Sequence, residues 1–189
     1  MVPIPESKSG KGVGLAERLG RWIRSRSPWF VAYCSACGAI EVPPVLMAPV
    51  DGERYGWLPA PTPRQGDVLV IMGYVSRKTL RVLIRLYKQM PEPRYVIVGC
   101  NCPATGGLYW DSYATVKDVS KYLPVNVWVP GCMPRADDWM IGFRKLQQLI
   151  AEGKIVRPGK PIEKKPGELE ELIVAELRAR EERFRRERQ

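Results

Sequence analysis

Two continuous apolar runs constrain the fold of this chain more than any other feature of its sequence. Asp67–Gly73 and Tyr95–Gly99 are apolar apart from the initial Asp67 and are rich in β-branched residues. Such runs are typical of strands buried on both faces, as in a parallel sheet covered by helices. Between them, Ser76 can cap a helix that runs to about Met90. Because strands alternate with helices, the sequence predicts an α/β fold with a mostly parallel sheet.

Further segments continue this alternation on both sides. The short aromatic and β-branched run Trp29–Tyr33 is predicted to be a strand, and so is Val125–Val129. A last core helix is expected from about Ala136 to Ala151. With helices on both faces of the sheet, the central domain is predicted to cover residues 29–152.

The two ends of the chain are predicted to be helical extensions of that domain. Residues 1–28 combine a polar tail with a basic amphipathic helix, which can lie on a membrane surface, dock on a partner or pack on its own domain. Residues 153–189 are predicted to form a Lys- and Pro-rich linker and a charged helix. No apolar run is long enough to cross a membrane, and residues 1–14 lack the apolar core of a signal peptide. We therefore expect a cytoplasmic protein.

Five cysteines and the absence of histidine narrow the chemistry. Without histidine there can be no Ser-His-Asp or Cys-His catalytic centre and no metal site with imidazole ligands. An odd number of cysteines in a reducing compartment argues against disulfide bonds and favours metal or redox chemistry. The formal charge of +10 is spread along the chain, so no nucleic-acid partner is expected.

Four of the cysteines come at or after the ends of predicted strands. Cys34 and Cys37 form a Cys-x-x-Cys pair after the first strand, while Cys102 and Cys132 follow the third and fourth. Since parallel strands end at one edge of a sheet, we expect these residues to converge there. Four thiolates can hold a 4Fe–4S cluster, and we predict one such cluster with these four ligands. A structural zinc module and a flavodoxin-like flavin protein are the alternatives.

Three further residues near these cysteines have less defined roles. In an extended chain Cys100 and Cys102 point to opposite sides, so we interpret Cys100 as a small buried residue outside the cluster. Arg135 could stabilise a reduced cluster or pair with an acidic partner. Glu41 could take part in proton movement, although an ion pair at the surface is the simpler interpretation.

Residues 29–150 resemble the small iron–sulfur subunit shared by respiratory complex I and membrane-bound NiFe hydrogenases. The resemblance rests on Gly99–Tyr109 (Gly-x-x-Cys-x-x-x-Gly-Gly-x-Tyr) and on Val129–Arg135 (Val-Pro-Gly-Cys-Met-Pro-Arg). In complex I the first two cysteines are adjacent, whereas Cys34 and Cys37 are separated by two residues, as in the hydrogenase branch. Among its members, archaeal membrane-bound sulfane sulfur reductase fits best.

The resemblance implies a flavodoxin-like domain whose single 4Fe–4S cluster is the last of an electron relay. This chain itself would then hold no catalytic residue. Its cluster would pass electrons to a substrate at the interface with a large catalytic-type subunit, and sulfane sulfur (polysulfide) reduction is the predicted reaction. A NiFe hydrogenase and a complex I-like quinone reductase are the alternatives. A ferredoxin-like iron–sulfur subunit and membrane-arm subunits are further implied partners, at the cytoplasmic side of the membrane.

Overall fold

The computed structural model describes residues 14–47 and 50–155. Its sheet has five strands, namely β1 Trp29–Cys34, β2 Leu58–Pro59, β3 Val68–Met72, β4 Tyr95–Gly99 and β5 Val127–Val129. All neighbouring strands pair in parallel, in the order β2-β1-β3-β4-β5. This is the flavodoxin-like strand order, so the predicted fold class is confirmed.

Five α-helices connect and cover these strands in the described part of the chain. They are α1 Leu15–Arg26, α2 Gly38–Leu46, α3 Arg77–Gln89, α4 Cys102–Thr105 and α5 Ala136–Glu152. Ser76 caps α3 as predicted, because its Oγ accepts a hydrogen bond from the Thr79 N–H at 3.2 Å. The predicted charged helix near the C-terminus and the polar N-terminal tail lie outside the described residues.

Alternating side chains of the sheet pack into two separate cores. On one face, Trp139 and Phe143 of α5 cover the sheet, and on the other Leu80 and Leu83 of α3 do so; all four are fully buried. A buried side chain the size of Phe143 contributes roughly 1.5–3 kcal/mol through the hydrophobic effect. The prediction of helices on both faces is therefore confirmed.

The segment that leads into β3 differs from its prediction. Its proline and glycine content predicts a loop over residues 49–66, yet Leu58–Pro59 adds an edge strand beside β1. Trp57 anchors this segment, since its ring is fully buried and stacks on Phe143 with the ring centroids 4.2 Å apart. A strand of two residues is too short to leave an alternating pattern in the sequence.

Helix α1 packs on α5 with its polar side inward. Ser25 is buried. Burial also raises the pKa of Asp67, and the Trp29 N–H and the Arg24 guanidinium of this helix oppose that rise. The apolar side chains of the helix are instead between 52% and 82% exposed; they are Leu15, Leu19, Trp22 and Ile23. The helix thus packs on its own domain, one of the three predicted roles, but it does so through its polar side and leaves its apolar side exposed among the described residues.

Candidate functional site

The five cysteines lie at the carboxyl edge of the sheet, as expected for residues that follow parallel strands. Cys34 is the last residue of β1, and Cys37 directly precedes α2. Cys100 directly follows β4, and Cys102 is the first residue of α4. Cys132 lies in the loop between β5 and α5.

The chain turns sharply between β4 and α4. Cys100 adopts a left-handed backbone conformation with φ of +75°, and Asn101 is in the right-handed helical region. The thiols of Cys100 and Cys102 consequently form a hydrogen bond with 3.7 Å between the two sulfur atoms. The expectation that these two side chains point to opposite sides is therefore wrong, because it assumed an extended chain.

Backbone hydrogen bonds join this turn to the loop that carries Cys132. The Cys100 N–H donates to the Val129 carbonyl at 3.1 Å, and the Asn101 N–H donates to the Gly131 carbonyl at 3.0 Å. In return, the Gly131 N–H donates to Oδ1 of Asn101 at 3.4 Å. These bonds hold the loops after β4 and β5 side by side.

Ser35 attaches the loop after β1 to the end of β3. Its N–H donates to the Met72 carbonyl at 3.1 Å, and its hydroxyl donates to the Tyr74 carbonyl at 2.7 Å. Gly73 makes this approach possible, because a Cβ there would lie 2.0 Å from the Ser35 carbonyl oxygen. The backbone of Gly73 also has φ of +82°, which favours glycine. The position of Cys37 thus depends on the turn after β3.

Four of the five thiols interact with one another. Cys100 lies close enough to Cys37, Cys102 and Cys132 to raise the pKa of each of these thiols. Burial and then Cys100 raise the pKa of Cys37, and the same two causes raise the pKa of Cys102 to about 12. For Cys132, which is exposed, proximity to Cys100 is the first cause of the raised pKa. Such thiols lose their protons when a metal binds them.

Cys34 stands apart from this group. Burial is the cause that raises the pKa of its thiol to about 11. Its side chain is half-buried and packs against the core that contains Phe30, which alternation along β1 places on the same face. Of the four predicted ligands, the structure therefore brings Cys37, Cys102 and Cys132 together and adds Cys100.

The start of helix α4 is the signal in the sequence that could have placed Cys100 near the other thiols. Pro103 stands in the first turn of α4, where proline is favoured, so a turn rather than an extended chain should be expected just before it. Gly107 supports the same turn, with φ of +51°, and a Cβ there would lie 2.8 Å from the Cys102 sulfur. Its absence of a side chain leaves room for the thiol.

Exposed apolar side chains surround these cysteines. Among them are Ile40 at 64%, Leu108 at 79% and Met133 at 45% exposure. The exposed Arg135 precedes α5, where its N–H donates to the Asp138 carboxylate at 2.9 Å. The side chain of Glu41 lies outside the described residues.

Two kinds of feature are absent from the described ranges. No helix in residues 14–47 or 50–155 is both long and apolar enough to cross a membrane. In the same ranges, no three side chains of the His, Cys, Asp or Glu type are arranged to hold a metal ion.

Known proteins match most of this chain. The model of the family described as "NADH ubiquinone oxidoreductase, 20 Kd subunit" matches residues 34–146. The chain is 41% identical over 146 residues to a subunit of the chloroplastic NAD(P)H-quinone oxidoreductase of Adiantum capillus-veneris, covering 76% of this chain and 58% of the relative. It is 37% identical over 139 residues to a subunit of the F(420)H(2) dehydrogenase of Methanosarcina mazei, covering 74% and 76%.

A solved structure agrees with both the sequence and the fold. It is a chain from the membrane-bound sulfane sulfur reductase, which is described as an archaeal respiratory membrane complex. The two chains are 43% identical and superimpose with a TM-score of 0.73, covering 85% of this chain and 90% of the other.

Proposed function

Because the chain belongs to the NADH ubiquinone oxidoreductase 20 kDa subunit family, we propose that it is the electron-transfer subunit of a membrane-bound oxidoreductase complex. In this function it carries one 4Fe–4S cluster at the carboxyl edge of its sheet. The observation that carries the proposal is the convergence of Cys37, Cys102 and Cys132 from three separate loops.

The residues at this edge fit such a cluster. Thiolates are its usual ligands, and four thiols from three loops lie close to one another here. Burial and Cys100 raise the pKa of Cys102, and the Leu108 backbone N–H opposes this rise. When bound, the cluster supplies one-electron transfer.

Three of the proposed cluster ligands are the same whichever cysteine is the fourth. Cys37, Cys102 and Cys132 bind the cluster, and the fourth ligand is either Cys34, as predicted from the sequence, or Cys100. The proposed iron–sulfur domain corresponds to residues 29–152.

The exposed apolar side chains beside the cysteines support a protein partner at this edge. We infer that a large catalytic-type subunit covers it and that the reacting substrate lies at the interface. A ferredoxin-like iron–sulfur subunit supplies electrons, and membrane-arm subunits anchor the complex. The chain is thus bound peripherally, at the cytoplasmic side of the membrane.

Sulfane sulfur (polysulfide) is the proposed electron acceptor of the complex. The 43% identity to a chain of the sulfane sulfur reductase supports this choice. A quinone is the second candidate acceptor, because the relative from Adiantum capillus-veneris is named an NAD(P)H-quinone oxidoreductase subunit. Polysulfide- and quinone-dependent oxidation of the reduced complex would separate the two.

Purification of the full chain under anaerobic conditions tests the cofactor. We expect a brown protein with broad absorbance at about 400 nm and with about four irons and four sulfides per chain. A colourless protein with one zinc would contradict the proposal and support the structural zinc module. Bound yellow flavin without sulfide would instead support the flavodoxin-like alternative.

A further inference from the structure

We propose that Cys100 provides the fourth thiolate of the cluster and that Cys34 does not bind it. This inference rests on the proposed function and specifies which cysteines of the chain perform it. The resulting ligand set contains Cys37, Cys100, Cys102 and Cys132.

Position is the first argument for Cys100. Its backbone N–H donates to the Val129 carbonyl at 3.1 Å, which joins it to the loop that carries Cys132, and its thiol also raises the pKa of Cys37 and of Cys132. One sulfur–sulfur distance, that to Cys102, is 3.7 Å. A group that binds the other three thiols would therefore lie next to this fourth one.

Backbone conformation is the second argument. Cys100 is 2% exposed and has φ of +75°, a region that side chains with a Cβ rarely adopt and that glycine adopts freely. Strain of this kind persists where the surrounding structure imposes it, and it is concentrated at functional sites. A cysteine that served only to fill space would not require this conformation.

The location of Cys34 is the third argument. It is still part of the regular strand β1, where it is paired with Met72 of β3. Its side chain packs against the hydrophobic core that contains Phe30. Cys34 therefore behaves as a small apolar residue, the role first assigned to Cys100.

Single substitutions in the full chain test the ligand set. Cys100→Gly removes the thiol and suits the left-handed backbone, so this variant should fold at least as well as the original chain. Cys34→Ala is the matched variant, and Cys102→Ala removes a ligand that both arrangements share. Circular dichroism of the cluster-free proteins establishes that each variant is folded.

Iron and sulfide content and the electron paramagnetic resonance of the reduced protein are the readouts. We expect Cys100→Gly and Cys102→Ala to lose at least nine tenths of the intact cluster, while Cys34→Ala keeps the original content and spectrum. Retention of the cluster by Cys100→Gly, or its loss in Cys34→Ala, would overturn the inference and leave the proposed function intact. An original chain that binds no iron–sulfur cluster would overturn the proposed function itself.

Discussion

Cys34 and Cys100 both stand where a strand of the sheet ends, yet their surroundings differ. Cys34 is the last residue of β1 and keeps the regular alternation of the strand, so its thiol packs against the core. Cys100 follows β4 in a left-handed conformation and lies beside three other thiols. In this pair, the thiol lies beside the other cysteines at the strand end where the backbone departs from extended geometry, at Cys100, and not at Cys34.

The largest expected effect concerns the turn that holds the loop after Cys34. Gly73→Ala should destabilise the cluster-free chain by about 3 kcal/mol, because it combines a positive φ with a Cβ that overlaps the Ser35 carbonyl. Urea unfolding followed by circular dichroism measures this effect. Gly20→Ala, in the exposed helix α1, is the control and should stabilise by up to about 1 kcal/mol. Equal stability of Gly73→Ala and the original chain would show that Ser35 is not held as described.

A medium effect should separate the two cysteines by the sign of a stability change. Cys100→Gly is expected to stabilise the cluster-free chain by about 1 kcal/mol, since it relieves the left-handed strain. Cys34→Ala is expected to destabilise it by about 1 kcal/mol, because a half-buried sulfur that packs against the core is removed. The same unfolding measurement applies to both. If both substitutions changed the free energy of unfolding in the same direction, the proposed difference between Cys34 and Cys100 would be wrong.

The smallest effect is a dependence on pH. The pKa of the Cys34 thiol is raised by burial from 9.0 to about 11, so the folded state favours the protonated form. Its contribution to the free energy of unfolding is complete below about pH 9 and is lost as the pH rises to about 11. After allowance for partial exposure to solvent, we expect a loss of about 1 kcal/mol. The difference in free energy of unfolding between the original chain and Cys34→Ala, measured without the cluster, isolates the contribution of this thiol. If the two chains lost stability in parallel between about pH 9 and about pH 11, the prediction would be wrong.

Much of the fold could be predicted from the sequence. Apolar runs such as Val68–Met72 are buried on both faces. Because strands of this kind need a layer of helices on each face, they strongly favour a parallel α/β sheet. The family was predicted from the motifs around Cys102 and Cys132, and the match over residues 34–146 confirms it. The edge strand Leu58–Pro59 was missed because its pairing depends on the burial of Trp57 rather than on a local pattern.

The candidate site could be predicted only in part. Its location followed from topology, because parallel strands end at one edge whatever their side chains. The contact between Cys100 and Cys102 depends on one backbone torsion, which spacing along the chain cannot supply. Spacing likewise made Cys34 and Cys37 look like a pair, although Cys34 belongs to a strand and Cys37 precedes a helix. Which of these cysteines bind the cluster stays a prediction.

The two outer strands of the described sheet are short. Strand β2 has two residues, one of them Pro59, and β5 at the opposite edge has three. Long unpaired edges invite sheet-to-sheet association between copies, whereas short edges and proline discourage it. Within the described residues, both edges of the sheet are therefore poor sites for pairing with a second copy of the chain.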